Sequence, residues 1–145
     1  MRESICAAIG IVGGWIASML GGWDSALVTL LIFMAVDYVT GLIVAGVFHK
    51  SQKSASGALE SRAGWKGLCR KAMTLLYVLI AARLDLLLGV DYVRDAVCIG
   101  FIANEALSIV ENAGLMGMPL PEAVRKGIDV LKSTSESGVS GYGKP

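Results

Sequence analysis

Carboxylate, carboxamide and hydroxyl side chains recur within an otherwise apolar stretch, FIANEALSIVENAGLMGMPLPEAV, at residues 101–124. At 100° per residue these polar side chains fall on one side of a helix, beside Phe101. A polar stripe of this kind is too costly to expose to lipid tails, so it must contact other helices or water. Its polar members are Asn104, Glu105, Ser108, Glu111 and Asn112.

Three kinds of chemistry are compatible with the stripe. Its side chains can form a buried polar network that fixes a helix bundle. They can instead line an aqueous pore once several copies of the chain assemble. A proton or cation transport site is the third interpretation, because intramembrane carboxylates mark such pathways.

Two further charges lie deep in apolar segments. Asp37 is eleven residues from Phe48, and Arg83 is eleven residues from Ala72. With a rise of 1.5 Å per residue, each lies roughly 16 Å from the same end of its segment. Asp37 and Arg83 are therefore a candidate intramembrane ion pair, since an ion in hydrocarbon needs a partner or water.

The remaining reactive residue types suggest no catalysis. The single histidine, His49, lies at the edge of an apolar segment, and the three cysteines are widely spaced in a pattern that matches no zinc or redox motif. We find no pairing of a nucleophile with a base and no phosphate-binding loop. The sequence therefore predicts a protein that is not an enzyme and that has no metal site and no cofactor.

The composition indicates a surface that faces lipid. Hydrophobic residues make up 54% of the 145 residues and charged residues only 17%, whereas a soluble domain has about a quarter charged residues. Four apolar segments have roughly the 17–25 residues that a membrane-crossing helix needs. We expect an all-α integral membrane protein with about four transmembrane helices, at residues 4–23, 25–48, 72–90 and 96–113, within a transmembrane domain of residues 1–113.

Segregated charges predict the orientation. Residues 49–71 hold six basic side chains against the single acid Glu60, a balance of +5. The positive-inside rule places this basic loop in the cytoplasm, so four crossings leave both termini there as well. The net charge of the whole chain is only +1, which gives no basic field for binding nucleic acid.

Beyond residue 113 the pattern changes to that of a surface helix. An apolar stripe at Leu120, Val124, Ile128 and Leu131 predicts a short cytoplasmic amphipathic helix within residues 114–132. It would lie on the membrane surface or bind a partner. The polar residues 133–145 are expected to be disordered.

The first segment carries a ladder of small residues at every fourth position. Ladders of this type let helix backbones approach closely in lipid. Self-association of subunits and packing within one chain are both compatible with it. Its members are Gly10, Gly14, Ser18 and Gly22.

Three sequence motifs carry a family resemblance. They are FIANEALSIVENAGLMGMPLPE at 101–122, the pentapeptide DYVTG at 37–41 and the basic stretch SRAGWKGLCRK at 61–71. The first resembles the closing signature, and the other two resemble earlier marks, of a phage holin family that includes toxin-secretion holins of the TcdE type. The resemblance runs from about Met34 to Leu131.

The resemblance implies a protein without enzymatic activity that is encoded by a phage or prophage and lies in the bacterial cytoplasmic membrane. Such proteins oligomerise into holes that release an endolysin, or a toxin, from the cytoplasm. It also implies assembly or lumen positions at Asp37 and at the polar stripe. A small ion or solute transporter, or a membrane adaptor that forms no pore, remains the alternative from the residues alone.

Overall fold

The computed structural model describes residues 1–140, which form five helices and contain no strand. Helix α1 spans Arg2–Met19, and α2 spans Ser25–Ile43 and continues as one π-helical turn at Val44–Phe48. Helix α3 spans Ser61–Leu88, α4 spans Val93–Leu115 and α5 spans Glu122–Ser140. The all-α prediction is therefore confirmed.

Helices α2 and α4 lie side by side and run in the same direction. Near their first turns, Leu27 and Leu30 share a buried cluster with Cys98 and Ile102, and further along both helices the Asn112 carboxamide contacts Asp37. Helix α3 lies beside this pair and runs the opposite way, because Lys71 reaches Asp37 while Val78 joins the cluster near the first turns. Alternating directions are what short connections require of consecutive helices.

Arg94, in the first turn of α4, joins three elements at one end of the bundle. Its buried guanidinium donates to the Leu20 carbonyl at 2.8 Å and to the Gly22 carbonyl at 3.3 Å. It also pairs with both carboxylate oxygens of Asp24. The α1–α2 turn is thereby fixed against α4, and sequence reasoning gave Arg94 no such role.

Two acidic side chains cap the helices at this end. The Asp24 carboxylate accepts from the Leu27 amide at 2.9 Å and so caps α2. The Asp85 carboxylate, near the end of α3, accepts from the amides of Val93 and Arg94 at 2.9 Å each. Both acids satisfy amides that a helix start leaves without partners, which is a structural role for the charge at Asp85.

Helix α3 begins eleven residues earlier than the predicted span. Residues 61–71, expected to be part of the basic loop 49–71, are helical, so only residues 49–60 connect α2 to α3. The added stretch contacts Tyr38 of α2, because a Cβ would lie 3.4 Å from the Tyr38 hydroxyl at Gly64 and 3.7 Å from the Tyr38 ring at Gly67. Both distances are ordinary van der Waals contacts, so the start of α3 packs against α2 beyond the apolar boundary.

Helix α5 differs from the prediction in length and in position. It extends to Ser140, so residues 133–140 are helical where a disordered tail was expected; residues 141–145 lie outside the described part of the chain. Of the predicted stripe, Ile128 is buried and Leu131 packs against the core cluster. Helix α5 therefore packs along α4 and does not stand apart from the bundle.

Membrane-crossing potential is clearest for α2. Within residues 1–140, only Ser25–Phe48 combines the length and the apolar composition that crossing a bilayer requires. The four predicted spans are thus not confirmed as a set. The helices that contain the other three segments do not meet both requirements together.

Candidate functional site

A buried ammonium group bridges two carboxylates at the centre of the bundle. The Lys71 Nζ of α3 lies 2.8 Å from the Asp37 Oδ2 of α2 and 2.6 Å from the Glu105 Oε2 of α4. The Asp37 and Glu105 side chains are 6% and 7% exposed, and that of Lys71 is 15% exposed. Three helices thus each contribute one ion to a site almost closed to solvent.

Asn112, two helical turns beyond Glu105, completes the surroundings of Asp37. Its Nδ2 donates to the Asp37 Oδ1 at 3.2 Å and to the Thr40 Oγ1 at 2.9 Å. The Thr40 hydroxyl in turn donates to the Val36 carbonyl at 2.8 Å. Among the residues that the structure describes, no buried side-chain nitrogen or oxygen lacks a hydrogen-bond partner, so the network is satisfied throughout.

The connection between α2 and α3 supplies a second cation. The Lys53 Nζ lies 3.7 Å from the Asp37 Oδ1 and 3.3 Å from the Ser108 Oγ. Its side chain is 49% exposed, so it approaches the site from the solvent side. With Lys53 included, two ammonium groups balance two carboxylates. Lys71, Lys53, Asp37 and Glu105 are called the charge cluster below.

The backbone of residues 49–60 is shaped to hold Lys53 over the site. His49 ends the π-helical turn in the left-handed conformation, with φ of 52°. Gly57 has φ of 75°, and a Cβ there would lie 2.6 Å from the His49 carbonyl oxygen, so only glycine fits. Hydrogen bonds from the Ser56 hydroxyl and amide lower the pKa of Glu60 and hold the end of the loop.

A cleft of about 540 Å³ opens beside the charge cluster, between α2, α3, α4 and the 49–60 loop. Tyr77 and Phe101 form part of its wall, with stacked rings whose centroids are 5.9 Å apart. Asn104 and Glu111 line the cleft and are exposed. The cleft therefore has both polar and aromatic walls, and it lies next to the four ionic groups of the charge cluster.

The structure brings all six predicted polar residues to this one place. Asp37, Glu105 and Asn112 are buried in the network, Ser108 bonds Lys53, and Asn104 and Glu111 line the cleft. Their predicted roles in assembly or in lining a lumen remain predictions. What the structure establishes is that the polar stripe of α4 faces α2, α3 and the 49–60 loop in a single chain.

The predicted Asp37–Arg83 pair does not form. Arg83 is exposed, and within residues 1–140 it makes no ion pair; Asp37 pairs with Lys71 and Lys53 instead. The depth estimate placed the start of α3 at the apolar boundary near residue 72. Because α3 begins at Ser61, Lys71 lies within the bundle at the level of Asp37.

Sequence reasoning missed Lys71, Lys53 and Thr40 as site residues. Both lysines were counted only as part of a charge excess. A signal did exist, because two buried carboxylates need a cation, and Lys71 directly adjoins the apolar segment. The axial alignment of the helices was needed to select it.

The small-residue ladder of α1 faces away from the rest of the chain. A Cβ added at Gly10, Gly14 or Gly22 would meet no neighbouring atom within 4 Å, and Ser18 is exposed. Ala17 and Leu20 are the buried residues at this end of α1. Packing of the ladder within one chain is thus not observed, and its role in self-association remains a prediction.

The residues that could support other chemistry are dispersed. Cys98 is buried, whereas Cys6 and Cys69 are exposed on different helices. Over the described residues 1–140, no group of three or more His, Cys, Asp or Glu side chains is placed to hold a metal ion. The charge cluster is therefore the chemical centre of the molecule, and its contacts are ion pairs and hydrogen bonds.

Comparison with known proteins identifies the group to which the chain is similar. Residues 14–133 match the model of the Bacteriophage holin family. An uncharacterized protein of Clostridium perfringens is 36% identical over 89% of this chain and 93% of its own length. An uncharacterized protein of Listeria monocytogenes is 38% identical over 87% of this chain and 86% of its own length.

A further relative has a functional name. A probable holin of Bacillus phage phi105 is 31% identical over 74% of this chain and 74% of its own length. No solved structure matches the chain. The family model covers most of the sequence, including α2, α3, α4 and the charge cluster, and the chain therefore belongs to the bacteriophage holin family.

Proposed function

We propose that this protein is a holin that oligomerises in the bacterial cytoplasmic membrane and forms holes through which an endolysin, or a toxin, leaves the cytoplasm. The observation that carries the proposal is a balanced charge cluster enclosed by three helices, one of which, α2, has an apolar outer side. Family membership supports a holin-like role. The hole and its cargo are the steps that we add.

The outer surface of α2 supports residence in lipid. Only 28% of the residues in its most apolar 18-residue stretch are buried inside the bundle, and Ile32, Val36 and Val39 are exposed. A core helix of a soluble protein would bury most of such side chains. Lipid tails are the surroundings in which this exposure is favourable.

The charge cluster supports a protein with two packing arrangements. In one chain, Lys71 and Lys53 neutralise Asp37 and Glu105, so these two carboxylates are buried in ion pairs and do not face lipid. In an assembly, the same polar side chains have water as a partner. Two arrangements of similar free energy respond to a small bias. Collapse of the membrane potential is a suitable bias, since one charge moved through 100 mV is worth about 2.3 kcal/mol.

Expression in a bacterium, with and without a cytoplasmic endolysin, tests the proposal. We expect sudden loss of membrane potential and of growth in both strains, and lysis only in the strain that has the endolysin. A transporter would give substrate-dependent flux without a lethal onset. An adaptor would leave the membrane impermeable and its potential intact in both strains. Either of the last two results would refute the proposed function.

A further inference from the structure

Helix α5 is attached to α4 by a specific contact. Ile128 is 7% exposed, and Leu131 packs against the cluster that contains Leu27 and Ile102. At Gly100, a Cβ would lie 3.1 Å from the Ser135 Oγ. A close approach at a glycine, flanked by buried apolar side chains, indicates a fitted interface between the two helices.

The contact places α5 at the depth of the membrane-crossing helix. Gly100 is fifteen residues before Leu115 in α4, which corresponds to about 22 Å along the helix axis. Helix α4 runs beside α2 in the same direction, and Leu131 of α5 reaches the same cluster as Leu27 and Leu30 of α2. Helix α5 therefore lies along the bundle, from its Leu115 end to the level of the first turns of α2.

The face of α5 that points away from the bundle is charged. Three acids and three bases lie on it, all of them exposed. The Lys126 Nζ lies 3.1 Å from the Glu122 Oε1, and both side chains are about three-quarters exposed. Lipid tails cannot solvate such a face, so water must border it wherever α5 is packed on α4. The six residues are Glu122, Arg125, Lys126, Asp129, Lys132 and Glu136.

We propose that α5 lines the lumen of the assembled hole, with its apolar face docked on α4 of its own chain and its charged face bordering the water. This inference rests on the proposed function, because the hole supplies the water. Further copies of this chain close the ring.

The first experiment fixes α5 on α4 with a disulfide bond. Gly100→Cys and Ser135→Cys, in a chain with Cys6, Cys69 and Cys98 replaced by alanine, place two thiols within disulfide reach. The protein is oxidised, reconstituted in planar bilayers of phosphatidylethanolamine and phosphatidylglycerol, and its conductance is measured. We expect the disulfide to form and the locked protein to conduct as well as the reduced one.

The second experiment measures how the charge of α5 affects the ion selectivity of the hole. Lys126→Glu with Lys132→Glu changes the charge of α5 by four units, and Arg62→Glu with Lys66→Glu makes the same change on the exposed start of α3. Reversal potentials in a KCl gradient give the cation-to-anion permeability ratio. We expect the α5 variant to raise this ratio at least twofold, and the α3 variant to raise it by less than half as much.

The outcomes separate this inference from the proposed function. If the parent protein never conducts, the proposed function fails and the inference falls with it. If the parent conducts but the locked protein is silent until reduced, α5 must leave α4 for the hole to open. If the disulfide cannot form, or if the α5 variant leaves the permeability ratio unchanged, a lumen-lining α5 is refuted while the holin function stands.

Discussion

At the scale of residues, Lys71 has the largest predicted effect on stability. Lys71→Met leaves Asp37 and Glu105 buried with no direct ammonium partner between them. Removing one partner of a buried ion pair lowers the free energy of unfolding by about 3 kcal/mol. We expect the free energy of unfolding in detergent micelles, measured by circular dichroism in denaturant, to fall by about that amount.

Lys66→Met is the matched control for this change, because Lys66 is exposed on the same helix. It should alter the free energy of unfolding by less than about 0.5 kcal/mol. Adding Glu105→Gln to Lys71→Met should recover part of the loss, since one uncompensated charge disappears. Equal losses for the Lys66 and Lys71 variants would show that the charge cluster does not stabilise the bundle.

Glu105 is the residue through which the cluster is expected to affect hole formation. Glu105→Gln removes one carboxylate charge and weakens the bridge that Lys71 makes between α2 and α4. The single-chain packing is then less favourable, so we expect an earlier onset of lysis at equal protein level. Glu3→Gln, at an exposed glutamate in the first turn of α1, is the control. Identical onsets for both variants and the parent would exclude the cluster from timing.

The pair between Asp24 and Arg94 predicts a dependence of stability on pH. Hydrogen bonding from Arg94 lowers the pKa of Asp24 below its ordinary value of 3.8. A carboxyl whose pKa is lower in the folded state stabilises the fold above its unfolded pKa, and this stabilisation is lost as the pH falls through the folded pKa. Asp24→Asn keeps a capping side chain but removes the charge.

We therefore expect the parent to be more stable than Asp24→Asn by a constant amount between pH 5 and pH 8. The difference should shrink as the pH falls below about 4. Thermal unfolding of both proteins across this range measures it. A difference that grows on acidification would contradict the pairing that the structure shows.

At the scale of elements, the α1–α2 turn depends on two glycines with the same backbone conformation. Gly21 and Gly22 both have φ of 96°. A Cβ at Gly21 would lie 2.8 Å from the Arg94 Nε, whereas a Cβ at Gly22 would meet nothing within 4 Å. Alanine at either position strains the backbone, but only Gly21→Ala also displaces the buried guanidinium.

Gly22→Ala should lower the free energy of unfolding by about 1 kcal/mol through backbone strain alone. Gly21→Ala should lower it by roughly 2 kcal/mol more, since the charge-assisted hydrogen bonds of Arg94 are disturbed as well. Denaturant unfolding of the two variants side by side measures the difference. Equal values would mean that Arg94 adapts without loss and does not fix the turn.

The elements also show what the sequence can predict. The helix of residues 25–48 was predicted within its observed bounds, because its apolar composition is nearly uninterrupted. The start of α3 and the end of α5 were predicted wrongly, because both continue through polar residues that hydropathy treats as boundaries. Both extensions contact a neighbouring helix, at Tyr38 and at Gly100, and such contacts depend on tertiary packing that hydropathy does not report.

The candidate site was partly predictable for a related reason. Residues of the α4 stripe share a face through helical periodicity alone, so their convergence could be read from their spacing. Lys71 could not be assigned to Asp37 in this way, because their meeting depends on how α2 and α3 align along their axes. That alignment is fixed at the far end of the bundle, where Arg94 and Asp85 join the helices.

At the scale of the whole molecule, the central claim is that chains assemble in a bilayer into holes that pass a folded protein. Vesicles loaded with both a small dye and an endolysin-sized fluorescent protein test it directly, with release followed against the ratio of protein to lipid. We predict that both cargoes leave together, all-or-none in each vesicle, above a steep threshold in that ratio. Release of the dye alone in proportion to the amount of protein, or retention of both cargoes, would contradict the account.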